Sequence, residues 1–336
     1  MDSKSSDDRK KSISITPVPD ARTDTVSLTD IDTQDTTYRI TTRSQLEDLL
    51  DTIPSLGLLH PPVLIESASG YSVVCGFGRI AACRQLGWKS LSARIHAANQ
   101  NRFQLARLAI ADNSLQRPLN LIETSRALNL LVDTSPDRQQ LEKAARELGL
   151  PVNPSVAAKI RQLCRLAIPI QQGILSDTIN LAMALELGKM DAKDAETLVA
   201  LFSGLKLGLN KQRELLLLAT EIARREDISV QQLIDEQAFQ DILQKADLDR
   251  AIRRQQIRSL LRKRRYPAIT EAETNYQKQV RHLKLGKQIQ LVPPRDFEGT
   301  TYAMTLYFKN HQDLRHLNAK INKILEHPAL GKILKR

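Results

Sequence analysis

The residues best placed to do chemistry lie between Gly70 and Trp88, in the run Gly-Tyr-Ser-Val-Val-Cys-Gly-Phe-Gly-Arg-Ile-Ala-Ala-Cys-Arg-Gln-Leu-Gly-Trp. Gly76 and Gly78 allow backbone angles closed to other residues. They separate an apolar β-branched stretch, Tyr71 to Cys75, from helix formers at Arg79 to Leu86 that end at Gly87. A strand, turn and helix in that order aim backbone N–H groups, a helix dipole and Arg79 at whatever sits above the turn. That is the chemistry of an anion or phosphate site. An ordinary structural turn has the same pattern, and the residues alone leave both readings open. Other chemistries are absent from the pattern. Cys75, Cys83 and Cys164 form no Cys-x-x-Cys pair, and the 6 histidines lack metal-ligand spacing with them, so reduced, mostly buried thiols and no metal are expected.

Two further constellations suit a polyanion. Ser135-Pro136-Asp137 reads as a helix start, with Ser135 as N-cap, and Leu141, Ala144, Ala145 and Leu148 form its apolar face before Gly149. Asn153-Pro154 opens a second helix with Val156, Ile160, Leu163 and Cys164 inward. Its outward face carries Ser155, Lys159 and Gln162, flanked by Arg161 and Arg165. Two short helices on a tight turn are the helix-turn-helix pattern, whose second helix enters a DNA major groove; a plain helical hairpin is the alternative. Arg250 to Arg265 then holds eight basic residues and no acid: Arg250, Arg253, Arg254, Arg258, Arg262, Lys263, Arg264 and Arg265. Like charges at i, i+4 destabilise a free helix, so such density points to phosphate contacts.

The elements that must position these groups divide the chain. Residues 1–36 are rich in Ser, Thr and Asp and read as a flexible tail. Residues 37–115 alternate short strands and helices, with a helix at Ser44 to Ile53 and strands at Pro62 to Glu66, Tyr71 to Cys75 and Leu91 to His96, a small α/β (α+β) domain. Residues 116–245 read as an all-α domain with loops at Pro136, Gly149, Pro151, Pro154, Gly173, Gly204 and Gly208. Residues 246–283 read as a basic helical linker that Pro267 interrupts, and 284–336 as a strand-strand-helix unit. In that last unit Tyr302, Met304, Leu306 and Phe308 share one strand face, and Asn310 caps a helix bearing Leu314, Leu317, Ile321, Ile324 and Leu325. So small a ββα unit has little to cover its apolar face, which predicts a homodimer.

Size and charge agree with this division. At 336 residues with 41% hydrophobic content the chain can bury two or three cores. With 49 Lys and Arg against 38 Asp and Glu, the net charge of +11 suits a polyanionic partner. No apolar stretch approaches the roughly 20 residues of a membrane span, and the first residues lack a signal-peptide core, so a cytoplasmic, nucleoid-associated location is expected, with no membrane partner.

Taken in order, residues 26 to 330 resemble the ParB family of chromosome and plasmid partition proteins. Val26 to Ile31 resembles its opening strand, and Leu46 to Val63 its leading helix, Gly-Leu-Leu-x-Pro and strand. Val74 to Cys83 occupies the place of its Gly-Glu-Arg-Arg box. Asp112-Asn113 with Leu119 to Glu123 resembles its Glu-Asn-x-Gln-Arg-x-x-Leu-Asn-Pro-Ile-Glu stretch, and Ala144 to Leu187 follows its helix-turn-helix and later helices. The resemblance implies a ParB/sulfiredoxin-like amino-terminal domain that binds CTP with magnesium as a clamp switch, through Gly76, Phe77, Gly78, Arg79, Asp112 and Asn113. It also implies double-stranded DNA bound by the helix-turn-helix, a carboxyl-terminal dimerisation unit, and a ParA-type ATPase contacting the tail, where Arg9, Lys10 and Lys11 lie.

The departures fall on the chemistry. Phe77 and Gly78 replace the Glu and first Arg of the box, leaving Arg79 as its phosphate-facing cation. In the second box Leu115 and Gln116 stand where Gln and Arg are usual, and Gln116-Arg117 match only if the register slips by one. These changes imply weakened CTP binding and put hydrolysis in doubt. Sulfiredoxin places its catalytic cysteine where this chain has Phe77, and Cys75 sits on the preceding strand, so that chemistry is not expected. The competing expectations are a CTPase or nuclease on the same fold, or a helix-turn-helix transcriptional regulator with no partition role.

Overall fold

A computed structural model of the chain describes residues 21–43, 46–245 and 247–334. The chain divides into two compact units, with the boundary in sequence between Leu209 and Asn210. The first opens with a five-stranded mixed sheet of order β1-β5-β3-β4-β2, built from β1 (Arg22–Ser27), β2 (Ile31–Asp32), β3 (Val63–Ser67), β4 (Gly70–Cys75) and β5 (Ser90–His96). β1 runs antiparallel to β5 and β3 to β4, while β3 is parallel to β5 and β2 to β4. Helices α1 (Leu46–Leu56) and α2 (Phe77–Gln85) close one core over the sheet, where Ile53, Ile80, Ala82 and Cys83 meet Leu64, Val73, Ala93 and Ile95. Gly70 is obligatory at the hairpin: its φ is +134°, and a Cβ there would stand 2.2 Å from the Asp30 carbonyl oxygen.

The flexible tail expected over residues 1–36 is therefore too long. β1 and β2 lie within it. β1 escaped the hydrophobic pattern because it is an edge strand whose only buried residue is Val26. Residues 1–20, with Arg9, Lys10 and Lys11, lie outside the described residues.

Seven α-helices follow among the described residues of the first unit: α3 (Arg102–Ser114), α4 (Leu121–Thr134), α5 (Arg138–Glu147), α6 (Pro154–Arg161), α7 (Ile168–Leu175), α8 (Leu181–Leu187) and α9 (Ala192–Leu205). α3 packs on β4, and α4 packs in turn against α3, α5, α6 and α7, so one helix joins the sheet domain to the helix-turn-helix. Gly173 and Gly204, expected in loops, lie inside α7 and α9. Gly173 is there for closeness: a Cβ would meet Ile179 and Val199 side chains at 3.1 Å.

The second unit holds α10 (Leu209–Glu226), α11 (Val230–Asp235), α12 (Gln237–Leu243), α13 (Arg250–Arg265) and α14 (Pro267–Leu283). Then come the antiparallel pair β6 (Ile289–Val292) and β7 (Ala303–Leu306), α15 (His311–Leu325) and α16 (Pro328–Leu334). The helical domain expected over 116–245 is thus divided at Leu209, and the boundary expected at 284 cuts a core. Tyr276, Val280 and Leu283 of α14, with Leu330 and Ile333 of α16, cover the ββα elements at Ile289, Leu291, Leu317 and Ile324. Tyr276 Oη donates to the Leu291 carbonyl at 2.6 Å, and its ring meets Phe297 edge-on at 5.6 Å. The premise of an uncovered apolar face is corrected by α14 and α16. Phe308 and Leu325 remain exposed, Phe308 because β7 ends at Leu306.

Candidate functional site

The glycine turn forms the floor of a cleft of about 1000 Å³ in the first unit. Gly76 ends β4 at a φ of +96° and caps α2; a Cβ there would press on Pro62 at 2.9 Å and on Arg79 Nε at 3.1 Å. The first bond of the helix ladder runs from Ile80 N–H to the Gly76 carbonyl, leaving the N–H groups of Phe77, Gly78 and Arg79 outside it. Gly76, Phe77, Gly78, Arg79, Asp112 and Asn113 all line this cleft, so the chain brings together the six residues singled out from its sequence. Gln116 and Arg117 line it as well, whereas Leu115 is exposed outside it, the arrangement of the slipped register.

Arg79 is not a free cation. Its Nη1 donates to the carbonyls of His60 at 2.6 Å and Pro61 at 3.4 Å, and its Nη2 reaches Asp112 Oδ2 at 3.3 Å. It fastens the loop after α1 and the end of α3 to the turn. Asn113 Nδ2 bonds back to the Ala109 carbonyl at 2.8 Å. Sequence reasoning missed three other cations of the walls, Arg39, Arg43 and Arg84, and had Arg117 only as the slipped-register match. Arg84 is spent on the carbonyls of Leu28 and Ile31 and on Thr33 Oγ1. With five arginines and the single carboxylate Asp112 on its walls, the cleft is built for an anion.

Behind Arg117 lies Glu123, which has no solvent exposure. Its two oxygens accept Arg117 Nη1 at 2.6 Å and Nη2 at 2.7 Å, Thr42 N–H at 2.9 Å and Asn120 N–H at 3.1 Å. Burial would raise this carboxyl's pKa, but the Arg117 bonds and the two N–H groups outweigh it and hold it at about 2. Asn120 and Glu123 form a capping box at the start of α4, and that Asn-x-x-Glu spacing is the signal by which Glu123 could have been found. Cys75 is buried on β4, and burial, then Asp112, pushes its thiol well above the ordinary range, which removes it as a nucleophile.

In the helix-turn-helix, α5 is capped by Asp137, whose side chain accepts the Gln140 N–H. Ser135 instead ends α4, so its assignment as N-cap is corrected; Asp137 competes for the same role two residues on. Gly149 closes α5 at a φ of +70°, and Asn153 Oδ1 caps α6 by accepting Ser155 and Val156 N–H. Ser155, Lys159, Gln162 and Arg165 are exposed on α6 and the short turn after it. Arg161 turns inward, its Nε on Asn129 Oδ1 at 3.1 Å, and so leaves the expected DNA-facing set. Arg165 reaches the same oxygen at 3.4 Å.

The basic helix α13 is largely neutralised within its own unit. Arg258 pairs with Glu214 at 2.5 Å, Arg262 with Glu273 at 3.0 Å, Arg265 with Glu221 at 2.5 Å, and Arg264 with both Glu226 and Glu236. Arg253 caps the carbonyls of Lys245 and Leu248. Expected as a phosphate-binding row, Arg258, Arg262, Arg264 and Arg265 are ion-paired. Among the described residues of the helix, Arg250, Arg254 and Lys263 are exposed and have no such partner.

Residues 14–114 match the model of the ParB N-terminal domain. Among curated proteins it is 29% identical over 136 residues to a nucleoid occlusion protein of Halalkalibacterium halodurans, a match covering 40% of this chain and 46% of that protein. It is 26% identical over 194 residues to a probable chromosome-partitioning protein ParB of Campylobacter jejuni, covering 57% and 66%. The chain thus spans less than two thirds of either relative. Among solved structures, ParB from Caulobacter crescentus complexed with CTP-gamma-S matches at 19% identity and a TM-score of 0.25, covering 54% of this chain and 98% of that one. A Pnob8-like ParB-N domain matches at 16% identity and a TM-score of 0.33, covering 67% and 97%.

Proposed function

We propose that this chain is a partition-type DNA-binding protein whose amino-terminal cleft binds CTP as a switch and whose helix-turn-helix binds a duplex DNA site. The observation that carries the nucleotide half is the cleft: unladdered N–H groups at Phe77 to Arg79, an arginine-rich wall, and the placement of Asp112 and Asn113 opposite the turn, inside a ParB N-terminal domain. A triphosphate fits that donor set. A magnesium ion would find one carboxylate, Asp112, and the Asn113 amide oxygen, with the remaining coordination from phosphate oxygens and water. The DNA half rests on Ser155 and Lys159 exposed on α6 and on Gln162 and Arg165 exposed just after it. Self-association through the carboxyl-terminal elements belongs to the same proposal, as does a ParA-type ATPase partner at the tail.

Isothermal titration of the full chain with CTP, against ATP, GTP and UTP, tests the cleft; saturable, CTP-selective heat is expected, and its absence removes the nucleotide half. Fluorescence anisotropy with duplex DNA tests the other half, with affinity expected to fall steeply as salt rises. For a nuclease there is little to work with: among the described residues no three His, Cys, Asp or Glu side chains cluster to hold a metal ion.

A further inference from the structure

We propose that one row of arginines on α13 is a masked binding surface for the phosphate backbone of duplex DNA, closed in the free chain by glutamates of α10 and α14 and opened when phosphates take their place. The inference rests on the DNA half of the reading above and adds to it a second contact surface, on elements other than α6.

Arg250, Arg254, Arg258 and Arg262 follow one another at i+4 spacing and Arg265 comes one turn later, so the five form a row along the helix. At 1.5 Å per residue the row is about 22 Å long, the span of several phosphates. Its first two members are exposed and make no ion pair among the described residues. The other three each meet a carboxylate: Arg258 with Glu214 and Arg265 with Glu221, both of α10, and Arg262 with Glu273 of α14. Glu214 and Glu221 have the same separation in sequence as Arg258 and Arg265, so two turns of α10 match two turns of α13 pair for pair. Acids in that register cancel the row one charge at a time.

The pairs are open enough to exchange. Arg258 is 43% exposed, Arg262 38% and Arg265 32%, so water and salt screen each pair, and a guanidinium gives up little in turning to a phosphate that its planar fork fits equally well. Neither side is stranded by the exchange. Glu214 keeps Lys211 at 3.1 Å, and the Arg265 guanidinium keeps its place over the Tyr266 ring, 4.6 Å from the centroid. The contacts that hold α13 in position are separate from the row. Arg264 bonds both Glu226 and Glu236, Arg225 donates to the carbonyls of Arg264 at 2.8 Å and Arg265 at 3.2 Å, and Ile257 and Leu261 are buried. The bonds from Arg264, then from Arg225, hold the Glu226 carboxyl at about 2, so that anchor stays ionised. The row can open without the helix leaving its place. Masked in this way, it keeps the chain from binding every polyanion it meets and adds contacts only where phosphates are already concentrated.

The test is fluorescence anisotropy of the full chain on a duplex of random sequence at several potassium chloride concentrations. Glu214→Gln with Glu221→Gln, which leaves Arg258 and Arg265 without their glutamates, is expected to raise affinity about tenfold or more at low salt and to steepen the double-logarithmic salt slope by up to about 1.8, ~0.9 for each phosphate gained. Glu271→Gln with Glu298→Gln removes as much negative charge from exposed residues that make no ion pair among the described residues, and should steepen the slope by less than about half as much, because distant exposed charges act only through a screened field. Arg258→Ala and Arg265→Ala added to the first variant should return the slope to that of the unaltered chain. If the first variant fails to fold, judged by its urea midpoint, Glu221→Gln alone carries the test with about half the steepening. Equal slopes in the two glutamine pairs would overturn the proposal, since net charge alone would then account for the gain. No gain in the first pair would overturn it too, and where the unaltered chain binds duplex DNA the reading of α6 stands in both cases. If neither the unaltered chain nor the first variant binds duplex DNA at low salt, the DNA reading and this inference fall together.

Discussion

Replacing Glu123 with Gln should destabilise the first unit by about 3 kcal/mol at neutral pH, and the size follows from the buried carboxylate. Its pKa of about 2, against an ordinary 4.5, means that folding favours the ionised form. At roughly 1.4 kcal/mol per tenfold change, that gap corresponds to about 3 kcal/mol. The same figure comes from a different direction, since breaking a buried ion pair by removing one partner costs ~3–5 kcal/mol. Arg117, 19% exposed, would be left without its counter-charge, and Thr42 would lose a charged acceptor. Because the folded-state pKa lies below the unfolded one, the contribution is complete above about pH 5 and is lost as pH falls through 4.5 toward 2. By pH 3 less than about half of it should remain. Trp88, the chain's single tryptophan, lies beside the sheet of this unit, so its fluorescence in urea reports the right transition in the full chain. A difference below about 1 kcal/mol at pH 7, or one as large at pH 3 as at pH 7, would refute the reasoning.

Two further outcomes separate the groups that face outward from those that do not. Lys159→Ala and Gln162→Ala should relax choice among duplex sequences in anisotropy competition while leaving affinity for random DNA nearly unchanged, because Lys159 is exposed on α6 and Gln162 at its C-cap; equal losses on specific and random DNA would remove α6 from base recognition. In α13, Arg264→Ala should lower the urea midpoint of the full chain and leave the salt dependence of DNA binding alone, since it strips Glu226 and Glu236 of their partner. Arg254→Ala should do the reverse, reducing the salt slope by about 1 if that side chain meets a phosphate.

Local chemistry was legible in the sequence wherever one residue sufficed to dictate geometry. Gly76 had to be glycine at its left-handed φ, Asn153 and Asn310 cap the helices that follow them, and the strand at Tyr71 to Cys75 is where the β-branched apolar run placed it. Partners were not legible. Glu123 meets Thr42 from 81 positions away, and Arg258 and Arg265 of α13 each meet a glutamate 44 positions back. Periodicity states which face of a helix is polar; it does not state which acid will stand opposite. The same limit explains the carboxyl-terminal elements. Their apolar face was readable from residue spacing, but the helix that covers it, α14, follows directly on the basic run and carries little apolar signal beyond Tyr276, Val280 and Leu283.

The charge balance takes on a different meaning once it is placed on the fold. Up to Leu209 the chain has 24 Lys and Arg against 23 Asp and Glu, and beyond it 25 against 15, so nearly all of the excess of +11 belongs to the second unit. The unit that holds the cleft and the helix-turn-helix is close to neutral. On the proposed function it would read DNA through individual exposed side chains such as Lys159 and Arg165, against a background close to neutral. On that proposal, long-range attraction to a polyanion would fall to the second unit, even though α13, its densest basic helix, is largely paired with glutamates. The proposed function would thus assign steering and reading to different parts of the chain, the first set by net charge and screened by salt, the second set by geometry.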